Sequence, residues 1–168
     1  MTLADFTSPG LIIPHLRGHD AASVIQELSQ ALQHEKRIQD LLPFYHAALN
    51  REFMVGTDIE AGLAFPHARL PAVKEVSFAL GRSDQALGWG TKVSGSVRIV
   101  FLVAVPATDS TQYLLLSSGL ARLAKDFRLV ETLLAAQDTF QIGEVLRRVE
   151  LRGHPKPLEP TAAFKGND

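Results

Sequence analysis

Arg51, Thr57, His67 and Arg69 crowd one short stretch of this chain, and each side chain is of a type that handles charged groups. An imidazole with an unperturbed pKa of about 6.5 is largely neutral near pH 7, so one ring nitrogen can attack an electrophile while the other holds a hydrogen bond. Guanidinium groups and hydroxyls, in turn, stabilise charge spread over the equatorial oxygens of a transferring phosphoryl group. Composition alone does not make a site of them. Arg51 equally suits the end of a helix, where the dipole favours a cation, Thr57 suits the cap of a turn, and a histidine after a proline is often structural.

The chain has no cysteine, which excludes disulfides, thiolate metal sites and a cysteine nucleophile. His15 and His19 have a spacing that suits metal ligands on a helix, but Gly18 between them breaks the helix that would bring them to one face. His34, His46 and His154 lie in two helical patterns and in the C-terminal stretch, without clustered carboxylates. All five are read as structural or exposed, and neither a metal nor a cofactor is expected.

The elements that must position His67 follow from periodicity. Short apolar runs at 11–16, 62–66, 76–81 and 97–105 read as strands, the last apolar on both faces and therefore central. Helical patterns cover 20–35, with Asp20 as N-cap, and 38–52, where Pro43 implies a late start or a kink. Three more cover 109–125, 127–136 and 139–148. Gly88, Trp89 and Gly90 mark a turn. This order predicts an α/β fold, a mixed sheet flanked by helices, as one domain over 1–150 with a flexible tail over 151–168 rich in Gly, Pro, Lys and Asn. Pro66 cannot donate to a sheet ladder and pushes Phe65 into extended geometry, so His67 is expected at a strand terminus, where ligands of α/β folds bind.

The segment Arg51, Glu52, Gly56, Thr57, Gly62, Leu63, Ala64, Phe65, Pro66, His67 resembles the active-site signature of one family. That family is the fructose/mannitol-type (type 2) EIIA domain of the bacterial phosphotransferase system, including its nitrogen-regulatory branch, and the likeness extends over about 9–150. The resemblance implies an EIIA-like sandwich in which His67 accepts a phosphoryl group from HPr or a related carrier and passes it to an EIIB protein. It further implies that Arg51 grips the phosphoryl group and Thr57 offers a hydroxyl. If active, the chain is then the phosphocarrier component of a phosphotransferase. The alternative is a regulatory module that binds target proteins and is switched by phosphorylation of His67.

Two features depart from the family pattern. Tyr113, followed by Leu114, aligns with a second histidine near the start of a helix; it either faces His67 or packs as an amphipathic side chain. A tyrosine there donates a hydrogen bond but does not become a cation at neutral pH, so weaker stabilisation of phosphate is expected. Asp58, Glu60 and Ala61 stand where small or neutral residues are usual, and carboxylates near a phosphate repel it unless they point away.

Seventeen basic residues nearly balance 18 acidic ones, which leaves no broad electrostatic footprint for nucleic acid or an anionic membrane. No apolar run approaches the roughly 18 residues of a membrane span, and residues 1–9 lack the pattern of a targeting signal, so a cytoplasmic protein is expected. With no cysteine present, a thiol-type EIIB acceptor is expected on a separate chain. Phe65, Leu70 and Trp89 are candidate docking contacts that serve equally as core residues.

Overall fold

The computed structural model of the chain describes residues 1–54, 61–90, 96–108 and 111–152. Five strands, Ile12–Ile13 (β1), Leu63–Ala64 (β2), His67–Leu70 (β3), Ser77–Arg82 (β4) and Ile99–Pro106 (β5), form one mixed sheet. β1 runs parallel to β4 and β4 antiparallel to β5, while β2 and β3 both pair parallel with the other edge of β5. Every residue of β5 is buried, because it lies inside the sheet and has a hydrophobic layer on each face.

Alternation along β5 divides the core in two. Phe101, Val103 and Val105 point toward three helices, Thr111–Lys125 (α3), Phe127–Ala135 (α4) and Thr139–Arg147 (α5), and meet Leu116, Leu133 and Ile142 there. Val100, Leu102 and Ala104 face Ala21–His34 (α1) and Leu41–Met54 (α2), whose Leu28 and Phe44 close the second core. The protein is thus an α/β sandwich with a mixed central sheet, as the sequence implies.

Asp20, Asp126 and Asp138 cap α1, α4 and α5, each carboxylate accepting a backbone N–H from the first turn. Elsewhere the boundaries differ from expectation for local reasons. The strand expected at 11–16 shrinks to Ile12–Ile13 because Pro14 has no N–H to donate, although Leu16 N–H still reaches Arg82 O at 2.8 Å. α2 begins at Leu41, which places Pro43 in the first turn, where a missing N–H costs no intrahelical bond. The strand expected at 62–66 is reduced to β2, and β3, which was not expected, begins just after it at His67. Leu151 still packs into the core and donates its N–H to Met1 O, while residues 153–168 of the expected tail lie outside the described residues.

Two buried polar groups tie the layers together. Arg82, 3% exposed, donates to Leu134 O (2.8 Å), Pro14 O (3.2 Å) and Asp84 Oδ1 (2.7 Å), so the end of β4 is fastened to the α4–α5 side. His15 joins that clamp, its Nδ1 3.0 Å from Asp84 Oδ2, and Arg82 followed by His15 holds the Asp84 carboxyl below the usual range. On the other face Trp89, 2% exposed, donates its indole N–H to Glu52 Oε2 at 2.6 Å, and Glu52 is itself buried.

Trp89→Phe withdraws that donor from a buried carboxylate and also vacates the space of the indole's second ring. We expect a loss of about 1–3 kcal/mol in unfolding free energy, read from urea denaturation at constant m-value. A change within about 0.5 kcal/mol, the ordinary scatter of surface substitutions, would show that the bond carries no stability.

Candidate functional site

β2 and β3 keep one register against β5, Leu63 opposite Ile99, Ala64 opposite Val100 and then His67 opposite Val103. They are one extended line, interrupted at Phe65–Pro66 by the proline that cannot donate. His67 is at a strand terminus as expected, but it opens β3 rather than ending the preceding strand: Pro66 breaks the ladder for a single step, after which pairing resumes. Pro66 O still accepts from Val103 N–H at 2.9 Å. Successive carbonyls of an extended chain point to opposite sides, so that of Phe65 turns away from β5 toward the free edge of the sheet.

His67 uses that carbonyl. Its Nδ1 lies 3.2 Å from Phe65 O, and because a carbonyl can only accept, Nδ1 bears the hydrogen and Nε2 is left with the lone pair. The ring is half-buried, and this desolvation is the main reason its pKa falls below 6.5. Arg51 and Arg69 push it down further, against the opposing hydrogen bond to Phe65 and the charge of Glu52.

Two-residue periodicity in β3 places Arg69 on the same face as His67, toward α3. There Tyr113, in the first turn of α3, meets both: its ring centroid is 5.8 Å from that of His67, and the Arg69 guanidinium carbon is 5.5 Å from the Tyr113 centroid. Such an arrangement is a cation–π contact. Arg69 Nη1 also donates to Pro106 O at 3.0 Å, which anchors the guanidinium at the end of β5. Beside the imidazole lies a small cavity of about 200 Å³, lined by Phe65, His67, Val103, Tyr113, Ser117 and Leu120.

Of the expected site residues, His67 and Tyr113 are in ring contact. Arg51 sits exposed in the last turn of α2 and acts on His67 through its charge. Thr57 lies outside the described residues, as do Asp58 and Glu60; Ala61 is half-buried against the core. Among the candidate contacts Trp89 is a core residue, Phe65 stacks on Phe101 at 5.4 Å, and Leu70 packs toward the α1–α2 core.

Arg69 stands among the candidate residues of the sequence but the resemblance gives it no role, and none was expected of Glu52, Phe53 or Leu114. Arg69 was legible through its spacing from His67, since residues two apart on a strand share a face. Glu52 was hidden, because nothing local pairs it with Trp89. Phe53 (76% exposed) and Leu114 (58%) put bare apolar side chains next in sequence to Glu52 and Tyr113.

An NMR titration of the His67 ring should give a pKa below 6.5, and Arg51→Ala or Arg69→Ala should raise it. Because the unfolded chain binds this proton at higher pH than the folded one, the His67 contribution to stability is present above 6.5 and is lost as pH falls from there toward the folded value. His67→Gln should remove that part of the acid sensitivity. A native pKa at or above 6.5 would contradict the electrostatics described.

Comparison with known proteins follows this geometry closely. Residues 5–149 match the sequence model of the family described as phosphoenolpyruvate-dependent sugar phosphotransferase system, EIIA 2. The nitrogen regulatory protein of Bradyrhizobium diazoefficiens is 27% identical over 146 residues, covering 87% of this chain and 95% of that protein. Nitrogen regulatory protein IIA-Ntr of Neisseria meningitidis superposes with a TM-score of 0.73 at 21% identity, over 86% of this chain and 98% of the other. Enzyme IIA-mannitol of Escherichia coli, solved in complex with phosphorylated enzyme IIB-mannitol, gives 0.72 at 15% identity, over 84% and 96%. These two structures share the fold. Among the described residues, no helix is long and apolar enough to cross a membrane.

Proposed function

The chain belongs to the type 2 EIIA family of the phosphoenolpyruvate-dependent sugar phosphotransferase system, and on that premise we propose that His67 carries a phosphoryl group between protein partners. The observation that carries this reading is the hydrogen bond from His67 Nδ1 to Phe65 O, which fixes the tautomer and leaves Nε2 as the nucleophile. Burial and the nearby arginines keep the ring neutral at pH 7, so the lone pair is available.

In the forward step Nε2 attacks the phosphorus of a donor phosphohistidine, on HPr or a related carrier. The new N–P bond forms as the donor's N–P bond breaks, and the released electron pair stays on the donor ring. In the onward step a thiolate or imidazole of an EIIB protein attacks the same phosphorus, and the pair returns to Nε2. Nothing is oxidised or reduced. The half-buried ring contributes position, which is most of what phosphoryl transfer requires. Arg51 and Arg69 offset the charge on the equatorial oxygens, Tyr113 offers a neutral hydroxyl, and Thr57 a second one. Support for an EIIB partner comes from the structural neighbour solved with phosphorylated IIB-mannitol. Exposed Phe53 and Leu114, next in sequence to Glu52 and Tyr113, are suitable docking contacts.

A second reading, a regulatory module switched by the same phosphorylation, is favoured by the nitrogen regulatory relative, 95% of whose length this chain covers. A phosphoryl group adds about two negative charges at neutral pH, enough to reverse the electrostatic fit of a partner at an apolar rim. Both readings place the phosphoryl group on His67 and differ in what happens next.

Incubation with phosphoenolpyruvate, the donor enzyme and the histidine carrier should give an acid-labile label on the wild type and none on His67→Ala. Arg51→Ala and Arg69→Ala should each slow labelling by about a hundredfold. An unlabelled wild type, or an undiminished label on His67→Ala, would overturn the proposal. A chase with an EIIB protein then separates the two readings, since a pure switch keeps its label.

A further inference from the structure

The far end of α3 opens onto a groove of about 770 Å³, bounded by the α3–α4 turn, the start of α4 and the end of α5. Tyr113 and Lys125 are 12 residues apart on α3, which separates the groove from His67 by about 18 Å along the helix axis. A molecule bound there leaves the phosphoryl site uncovered.

Lys125, Arg128, Arg148 and Arg152 line this groove, all exposed, and among the described residues none of the four takes part in an ion pair. Other arginines, by contrast, do find carboxylates, Arg17 with Glu27 at 3.8 Å, Arg82 with Asp84 at 2.7 Å and Arg147 with Glu144 at 2.8 Å. A fifth cation of the groove, Arg122, is committed to the fold through Ser118 Oγ (3.1 Å) and the Glu150 carbonyl. Five cations thus face two carboxylates in the lining, Glu150 and Asp126, the latter turned into the N-cap of α4 and accepting from Leu129 N–H at 3.1 Å. Phe127 stands among them, 72% exposed.

A chain of net charge −1 has no reason to gather unmatched cations around a bare phenyl ring for its fold alone, because like charges at close range repel. We propose that this groove docks an acidic segment of a protein partner, its carboxylates meeting Lys125, Arg128, Arg148 and Arg152 and an apolar side chain resting on Phe127. Duplex nucleic acid fits less well, since such binding rests on about 6–10 neutralised phosphates and the patch offers four free cations. A planar anionic membrane would not enter a concave groove. The proposal is independent of the chemistry at His67, and His67→Ala should bind the same segment.

The test is fluorescence anisotropy with a labelled glutamate-rich peptide bearing one phenylalanine, against the full chain at low and moderate salt. The wild type should bind saturably and more weakly as salt rises. Arg128→Glu/Arg148→Glu should weaken binding by about tenfold or more, whereas Lys36→Glu/Lys74→Glu, an equal change of charge on another face, should leave it unchanged. Cooperative thermal melting of each variant confirms that the substituted chain is folded. The proposal is overturned if the wild type shows no saturable binding, if both double variants bind alike, or if a short DNA duplex binds more tightly than the peptide.

Discussion

The hydrogen bond from His67 Nδ1 to the Phe65 carbonyl is the contact on which the site depends. It exists because Pro66 interrupts the ladder on β5 for one step without shifting the register, so Leu63 and His67 remain on a single line. A bulge would have moved the following side chains to the other face. The line is kept, and the Phe65 carbonyl is directed to the free edge where an imidazole two residues later can reach it. Chemistry at Nε2 is a consequence of this backbone arrangement, since an imidazole with one nitrogen committed as donor has its other nitrogen defined as acceptor or nucleophile.

Everything else places charge around that ring. β5, buried on both faces, is the fixed reference: it holds β3 in register, and its last residue, Pro106, accepts from Arg69. α3 brings Tyr113 between Arg69 and His67, so that a flat ring rather than a second imidazole fills the space. The last turn of α2 supplies Arg51 beside the buried Glu52, whose carboxylate accepts from the indole of Trp89 in the α1–α2 core. Pinning Glu52 inward leaves its neighbour Arg51 on the exposed surface, where the proposed phosphoryl group would meet it.

Much of this was legible in the residues. Asp20, with Ser23 three residues later, announces the start of α1, and the unbroken apolar run before Pro106 reads as a central strand because no face of it is polar. The motif around His67 led to the family, and through it to Tyr113 as the residue opposite the histidine. Other features depend on partners far away in sequence. Asp84 lies two residues from Arg82, but the partners that bury Arg82, Pro14 and Leu134, are distant in sequence, and nothing near Trp89 says that Glu52 is its acceptor. The division of β2 from β3 was misjudged for a related reason: proline predicts a lost donor, but whether pairing resumes afterwards is decided by β5. Thr57 falls in a segment outside the described residues, so its place in the site rests on the motif alone.

The account stands on which nitrogen of His67 is free. Long-range ¹H–¹⁵N correlation of the ¹⁵N-labelled protein, recorded before and after phosphorylation, reads both ring nitrogens directly. Phosphorus bonded to Nε2, with Nδ1 protonated in both states, is the predicted result. Phosphorus on Nδ1, or an unmodified protein in which Nε2 carries the hydrogen, would contradict it.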